Sequence, residues 1–501
     1  MLTEALSPRY GIHRWAYWGG ILVYACVIAW LFPHRYWDPD EFEHLQGSWL
    51  ISQGLIPYRD YFEHHTPLWH LLTSQVFRLE QPESMDRVAI LLAGFRTFSI
   101  LCSATTAALT WLLARRAFGA PIAAIALALL LSESIFISKG IEIRPDPLSI
   151  LGIVGATYAL ARAFASQPHA PGFETQPGRS AIFWTAISGI AVTLAILSSQ
   201  KALFAVPGLV IAFAYLAKRR FFKLAPYALA GSLLIAAPIL VWFASRGALG
   251  QFFYYNFLLN SGWVRQNFNW GTLELRSNAT FLFLSVAGCI LIIWRLSNGI
   301  RQPELLLAVC LLLSLVAGGA ALPVVQRQYI MMALPFAAIC GAGAIQICVQ
   351  AVKGSKWMPV SAMALAAIIL FFTAHNLYKI FYQRESYMIL SERDSDMRRK
   401  LAFLLQTVPP DQTVMAAWSV GVAFRRPAWF YFFLHDEIRA MIPSQAYKTL
   451  ADGLRTGAIR PALVDFDLDM AEMPPEVVAE IERLYKPVGV ADFQKRLGVT
   501  P

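Results

Sequence analysis

Apolar runs long enough to cross a membrane recur almost from one end of this chain to the other, and they leave few folds open to it. A hydrocarbon core ~30 Å thick takes about 20 residues of helix, in a range of roughly 17–25. Runs near that length occupy 15–32, 88–113, 121–137, 148–163, 181–197, 202–217, 224–243, 279–294, 305–325, 329–349 and 358–372. In lipid every backbone N–H and C=O must find its partner inside the segment, so each run is expected to be an α-helix. That gives about eleven spans. Only 15% of the 501 residues are charged, against about 25% in an average soluble domain. The expected fold class is therefore an all-α polytopic membrane domain.

The net charge of +10 belongs to membrane orientation rather than to nucleic acid. Alternate connections carry Arg115-Arg116, Arg162 with Arg179, Lys218-Arg219-Arg220 with Lys223, Arg295 with Arg301, and Lys353 with Lys356. These connections should be cytoplasmic. The other set includes a long loop, 33–87, with nine acids (Asp38, Asp40, Glu41, Glu43, Asp60, Glu63, Glu80, Glu83, Asp86) against four arginines (Arg35, Arg59, Arg78, Arg87). The pattern puts the N-terminus in the cytoplasm, and an odd number of spans puts the C-terminal segment outside. Arg9 and Arg14 precede the first run, but Pro33-His34-Arg35 offers no small-residue cleavage pattern, so an uncleaved anchor is expected. Cys26, Cys102, Cys289, Cys310, Cys340 and Cys348 sit in apolar runs without metal-site spacing and read as small core hydrophobes.

Three parts follow along the chain. Residues 1–382 hold the membrane domain, 383–400 a charged connector, and 401–501 a small extracytoplasmic α/β domain. Within the last, 413–418 and 461–466 read as strands, and 438–454 and 475–484 as helices with a 3.6-residue apolar period. In the first outer loop, Leu68, Leu71, Leu72, Val76 and Leu79 share one helical face, and Trp49 and Trp69 suit an interface. Amphipathic helices along the membrane surface are expected there; an ordinary solvated loop is the alternative.

That loop is dense in carboxylates, imidazoles and aromatics: Asp38-Pro39-Asp40-Glu41-Phe42-Glu43-His44, then Pro57-Tyr58-Arg59-Asp60-Tyr61-Phe62-Glu63-His64-His65-Thr66-Pro67-Leu68. Charges beside lipid are costly and mark function more often than not. Asp40-Glu41 alone is a weak signal, since an Asp also caps helices well. Its position after the first span gives it weight. A second short outer loop reads Lys139-Gly140-Ile141-Glu142-Ile143-Arg144-Pro145-Asp146-Pro147-Leu148.

With these motifs and the loop order, most of residues 10–435 resembles the GT-C superfamily of lipid-phosphate-sugar-dependent glycosyltransferases. It is most similar to bacterial relatives of protein O-mannosyltransferases and of the aminoarabinose transferases that modify lipid A. The resemblance implies an Asp-Glu pair opening the first outer loop, with Asp40 as base beside Glu41, and a second acid, Asp146, between the third and fourth spans. It implies an inverting enzyme that moves a sugar from a polyprenyl-phosphate donor to a lipid, glycan or protein acceptor at the outer face of a plasma membrane.

The chemistry suits these residues. A polyprenyl phosphate is already a good leaving group, so one carboxylate to take the acceptor's proton suffices, whereas glycosidases need two at a set separation. Asp146 or Glu142 would hold the acceptor or support Asp40. The phosphate needs cations, for which Arg144, Lys201, Arg265 and Arg327 are candidates; each could equally snorkel to the interface. Tyr58, Asp60, Glu63, His64, His65 and Glu142 are candidate substrate contacts. Arg96 and Glu133, inside spans, are either a structural ion pair or neighbours of the site. Glu63-His64-His65 with His70 invites a metal, and some superfamily members use a divalent cation. No HExxH or paired ligand spacing supports one, and the histidines are expected to hydrogen-bond substrate or loop backbone. The aromatics of 251–270 would belt the interface or line a sugar or lipid groove. A transporter or flippase of lipid-linked sugars is the competing function, but it should show paired broken helices with polar groups near the midplane, whereas these polar groups gather at one face.

Overall fold

The computed structural model describes residues 12–165, 177–263, 279–298, 302–321, 328–351, 358–383, 392–417, 422–432, 436–490 and 493–496. The described part of each apolar run falls mainly on helix. These are α1 (Ile12–His34), α4 (Met85–Phe118), α5 (Ala120–Leu131) with α6 (Ser134–Gly140), α7 (Asp146–Ala165), α8 (Arg179–Ser198), α9 (Ala205–Ala217), α10 (Phe221–Ser245), α11 (Ala279–Ser297), α12 (Pro303–Ala321), α13 (Leu334–Ala351) and α14 (Met358–Tyr382). Between α1 and α4 come α2 (Pro39–Ser52) and α3 (Leu68–Leu79). Among the described residues, seven helical stretches are long and apolar enough to cross a membrane, or eight if α5 and α6, bent by 63°, make one span. Two shorter apolar helices, Phe283–Ser297 and Ala367–Tyr382, accompany them. The bend has a local cause: Glu133 starts a new helix by accepting the Phe136 N–H at 2.8 Å.

The chain forms two compact units. The first comprises residues 1–33, 97–239 and 264–386 and holds most of the apolar helices. Its helices approach closely where side chains are absent. A Cβ on Gly189 of α8 would collide with the Ala228 carbonyl of α10, and one on Gly231 of α10 with the Ala186 carbonyl of α8. Small residues permit such contact where no hydrophobic effect drives helices together.

The second unit gathers residues 34–96, 240–263 and 387–501. It contains α15 (Glu392–Thr407), α16 (Ser444–Thr456), α17 (Pro475–Leu484) and a five-stranded sheet ordered β2-β1-β3-β5-β4. The strands are β1 (Thr413–Met415), β2 (Arg426–Pro427), β3 (Leu463–Asp465), β4 (Tyr485–Pro487) and β5 (Phe493–Arg496). β1 runs parallel to β2 and β3, and β5 runs antiparallel to β3 and β4. β1, β3 and α17 stand where the sequence placed them. The helix expected over 438–454 is two, Asp436–Arg439 and α16, divided at Pro443. β4 and β5 were not foreseen because their polar residues show no clean alternation.

The apolar core of this unit holds Val464, Leu450, Ile481 and Tyr485 together with Phe62 of the loop between α2 and α3. The grouping therefore crosses the boundaries drawn from sequence, and α15 runs through the expected connector edge at 400/401. Gln46 of α2 adds polar ties: its amide donates to the Arg425 carbonyl at 2.6 Å and accepts the Phe424 N–H. α3 is amphipathic as expected, with Leu72, Val76 and Leu79 exposed. Trp49 and Trp69 correct the expectation of interfacial anchors. They are 2% and 0% exposed, packed inside the protein, and α2 is buried along nearly its whole length.

Candidate active site

Asp38-Pro39-Asp40-Glu41 folds as a helix start. Asp38 accepts the Asp40 N–H at 3.0 Å, and Pro39 occupies the first turn, where its missing N–H costs nothing. The next two residues then diverge. Glu41 is fully buried and takes a forked pair of hydrogen bonds from Arg96 of α4, Nε to Oε1 at 3.0 Å and Nη2 to Oε2 at 2.5 Å. Arg96 also donates to the Tyr36 carbonyl at 2.8 Å, and Arg35 lies 3.8 Å from Glu41. Asp40, on the same first turn, is only partly buried.

The loop after α2 is tied together by its own side chains. Tyr58 sits at φ 70°, a left-handed conformation uncommon for a bulky side chain. Its ring packs against Phe243 and Phe252, and its hydroxyl donates to the His65 carbonyl at 2.7 Å. Tyr61 donates to the Gly47 carbonyl at 2.9 Å. Burial, with Glu63 nearby, raises both phenols well above the usual tyrosine value. Asp60 accepts the Ile56 N–H and is paired with Arg59. Glu63 accepts the N–H groups of His64 and His65 at 3.0 and 2.9 Å and contacts the His65 ring at 2.9 Å. Burial alone would raise the Glu63 carboxyl, but His70, His65 and His64 outweigh it and hold the group well below the usual carboxylate range.

In the first unit a second cluster forms around the start of α7. Asp146 is buried and pairs with Lys201 at 3.1 Å and Arg144 at 3.0 Å. Glu142, also buried, pairs with Lys139 at 2.7 Å and with Arg144. The Lys201 ammonium lies 4.7 Å from the Tyr329 ring centroid, a cation–π contact. Three cations face two carboxylates, so these five side chains carry a net positive charge suited to an anion.

The family model described as dolichyl-phosphate-mannose-protein mannosyltransferase matches residues 91–242. ArnT from Cupriavidus metallidurans, solved bound to undecaprenyl phosphate, superposes with a TM-score of 0.61 at 13% identity, over 96% of this chain and 99% of that one. The archaeal oligosaccharyltransferase AglB from Archaeoglobus fulgidus, solved with an inhibitory peptide and a dolichol-phosphate, gives 0.60 at 14% identity, over 97% and 75%. The chain has the GT-C fold of membrane glycosyltransferases. No curated protein sequence matches it.

In this chain, the residues expected at the site fall into two groups. Asp40, Glu41, Tyr58, Asp60, Glu63, His64 and His65 belong to the second unit, and Glu142, Arg144, Asp146 and Lys201 to the first. Arg265 and Arg327 lie outside the described residues. Arg96 resolves as the ion-pair partner of Glu41, while Glu133 is a helix cap. The structure adds Lys139 and Tyr329, which sequence reasoning passed over. Lys139 stands near the end of α6, three residues before Glu142, and that spacing was the available signal. Of the described aromatics after 251, Phe252 is buried against Tyr58, while Phe253 and Tyr254 are about half exposed.

Proposed function

We propose that the protein transfers a sugar from a polyprenyl-phosphate donor to a lipid, glycan or protein acceptor at the outer face of a cell membrane, with inversion at the anomeric carbon. The observation that carries this is the buried, net-cationic cluster of Lys139, Glu142, Arg144, Asp146 and Lys201 within a GT-C fold. The polyprenyl phosphates bound to ArnT and AglB support the same donor class here. In the reaction, an acceptor hydroxyl or amine attacks the anomeric carbon opposite the phosphate. The bond from that carbon to the phosphate oxygen breaks, and its electron pair leaves with the phosphate. Lys201 and Arg144 stabilise the charge that develops there. Asp40 takes the acceptor's proton. Arg96 holds Glu41 and thereby fixes the helix turn that presents Asp40. The N-terminus is cytoplasmic and residues 401–501 are outside, in keeping with the loop charges.

The test is turnover by purified protein in detergent, supplied with radiolabelled polyprenyl-phosphate hexoses, pentoses and an aminosugar. Wild type should release polyprenyl phosphate and Asp40→Asn should not, with both eluting as the same monodisperse species. Full transfer by the folded Asp40→Asn variant would overturn the mechanism.

A further inference from the structure

The connector ends in three consecutive basic residues, Arg398-Arg399-Lys400, and a run of that kind is ordinarily a solvated face. On α15 the three separate. Arg399 is exposed and pairs within its own helix with Asp396 at 2.8 Å. Lys400 is buried and donates to both carboxylate oxygens of Asp465 on β3, at 3.0 and 3.3 Å. Arg398 places its guanidinium carbon 4.3 Å from the ring centroid of Trp37, within the range of a cation–π contact. Trp37 is buried and immediately precedes Asp38, the cap of α2. We propose that Arg398 is a positioning residue for sugar transfer, holding through Trp37 the turn that presents Asp40. The role rests on the proposed glycosyl transfer with Asp40 as base.

Helix geometry makes the grip two-sided. Side chains two positions apart on an α-helix leave it about 200° apart, so Arg398 and Lys400 stand on opposite sides of α15. The Lys400 side is anchored to the sheet: Asp465 is fully buried, and the Phe403 ring lies 5.6 Å from that of Phe493 on β5. Leu401 and Leu404 are fully buried as well. Arg398 is therefore braced from behind by the C-terminal sheet. On the α2 side, Trp37 lies 5.8 Å from the Phe42 ring, and Asp38 accepts the Asp40 N–H at 3.0 Å. A shift of Trp37 shifts the cap, and with it the first turn that carries Asp40. Arg96 holds the same turn from α4 through Glu41. The two cations differ in what they contribute. Arg96 answers a buried carboxylate, so its loss is a loss of stability. Arg398 is only partly buried, so its contact contributes little to stability and more to placement. A base must lie within hydrogen-bond reach of the proton it takes, and a misplacement of about 1 Å can cost roughly a hundredfold in rate.

The experiment compares full-length wild type with Arg398→Met and Arg398→Lys in detergent. It reads deuterium uptake across residues 37–42, melting temperature, and transfer from the radiolabelled polyprenyl-phosphate sugar that wild type turns over. Arg398→Met keeps the apolar stem and removes the charge. Its Asp40 and Glu41 amides should exchange about threefold faster and its kcat fall about five- to tenfold, the size of losing one cation–π contact. Its donor KM should stay within about twofold of wild type, since placement of the base acts on the chemical step, and its melting temperature should not move. Arg398→Lys should recover part of both losses, because a charge stays over the ring. Trp37→Leu combined with Arg398→Met should lose less kcat than the product of the two single losses, because both changes break one contact; the two Arg398 variants decide the matter if Trp37→Leu does not fold. Unchanged exchange or kcat in Arg398→Met, a fall in kcat that comes with a large drop in melting temperature, no recovery in Arg398→Lys, or single losses that multiply in the double variant would each overturn the role and leave the transferase reading standing. A folded wild type that transfers no sugar would overturn both.

Discussion

Asp40 and Glu41 are adjacent carboxylates with opposite fates, and the difference is burial, partial at Asp40 and complete at Glu41. Both oxygens of Glu41 are taken by the Arg96 guanidinium in a dry setting. Glu41→Gln strands that cation and should cost about 3–5 kcal/mol, read as a large drop in melting temperature in detergent. Asp40→Asn should melt as wild type does, and equal melting of both variants would show that the buried pair contributes little. At the other cluster, Lys201→Met should raise the donor KM more than it lowers kcat if the ammonium meets the phosphate in both ground and transition states. Lys201→Arg should recover part of the loss, since the charge and the stacking on Tyr329 survive. A donor KM unchanged in Lys201→Met would remove Lys201 from donor binding. The sequence was sufficient to pick out these side chains, because charges are rare in so apolar a chain. It did not show which acid each cation chooses. That choice depends on burial, which brings Arg96 to Glu41 across 55 residues.

Elements differ in how much of their structure is local. The start of α2 was readable from Asp38-Pro39, because capping acts over three residues. The outward face of α3 was readable from its leucine spacing. Trp49 and Trp69 misled because an indole suits an interface and a protein core equally well, and only packing selects between them. The α8–α10 contact at Gly189 has no sequence mark beyond a small residue. Gly189→Val should cost at least 1–3 kcal/mol through overpacking, measured as lowered thermal stability. Gly94→Ala of α4, with nothing within 4 Å of the new Cβ, should be tolerated. Equal effects of the two changes would refute the close contact. The loop between α2 and α3 makes a prediction in pH. Tyr58 and Tyr61 have pKa values raised in the folded state, so their contribution to stability is complete below the unfolded value of about 10 and is lost as pH rises above it. Melting temperature should fall above pH ~10, and the paired Tyr58→Phe and Tyr61→Phe changes should flatten that fall. An alkaline slope untouched by them would place its origin elsewhere.

At the scale of the molecule, the second unit is assembled from three separate stretches of chain. Phe62 sits in the same core as Leu450 and Tyr485, and Gln46 bonds the backbone at Phe424 and Arg425. Removing residues 401–501 should therefore loosen α2 and the 54–66 loop, seen as faster hydrogen exchange there in the truncated protein. Protection equal to that of the intact chain would mean that the loop is ordered without its C-terminal partner. By itself the sequence determined a polytopic helical membrane protein with one long, strongly acidic loop after the first span and a small α/β tail. Those properties follow from composition and periodicity, which each segment carries on its own. Only the tertiary structure decided that the tail and that loop share a core, that Arg96 belongs to Glu41, and that Glu43 meets Glu63, His64 and His65. Those contacts join residues 20 to 423 positions apart, and burial of apolar surface, which has no address along the chain, is what brings the distant ones together.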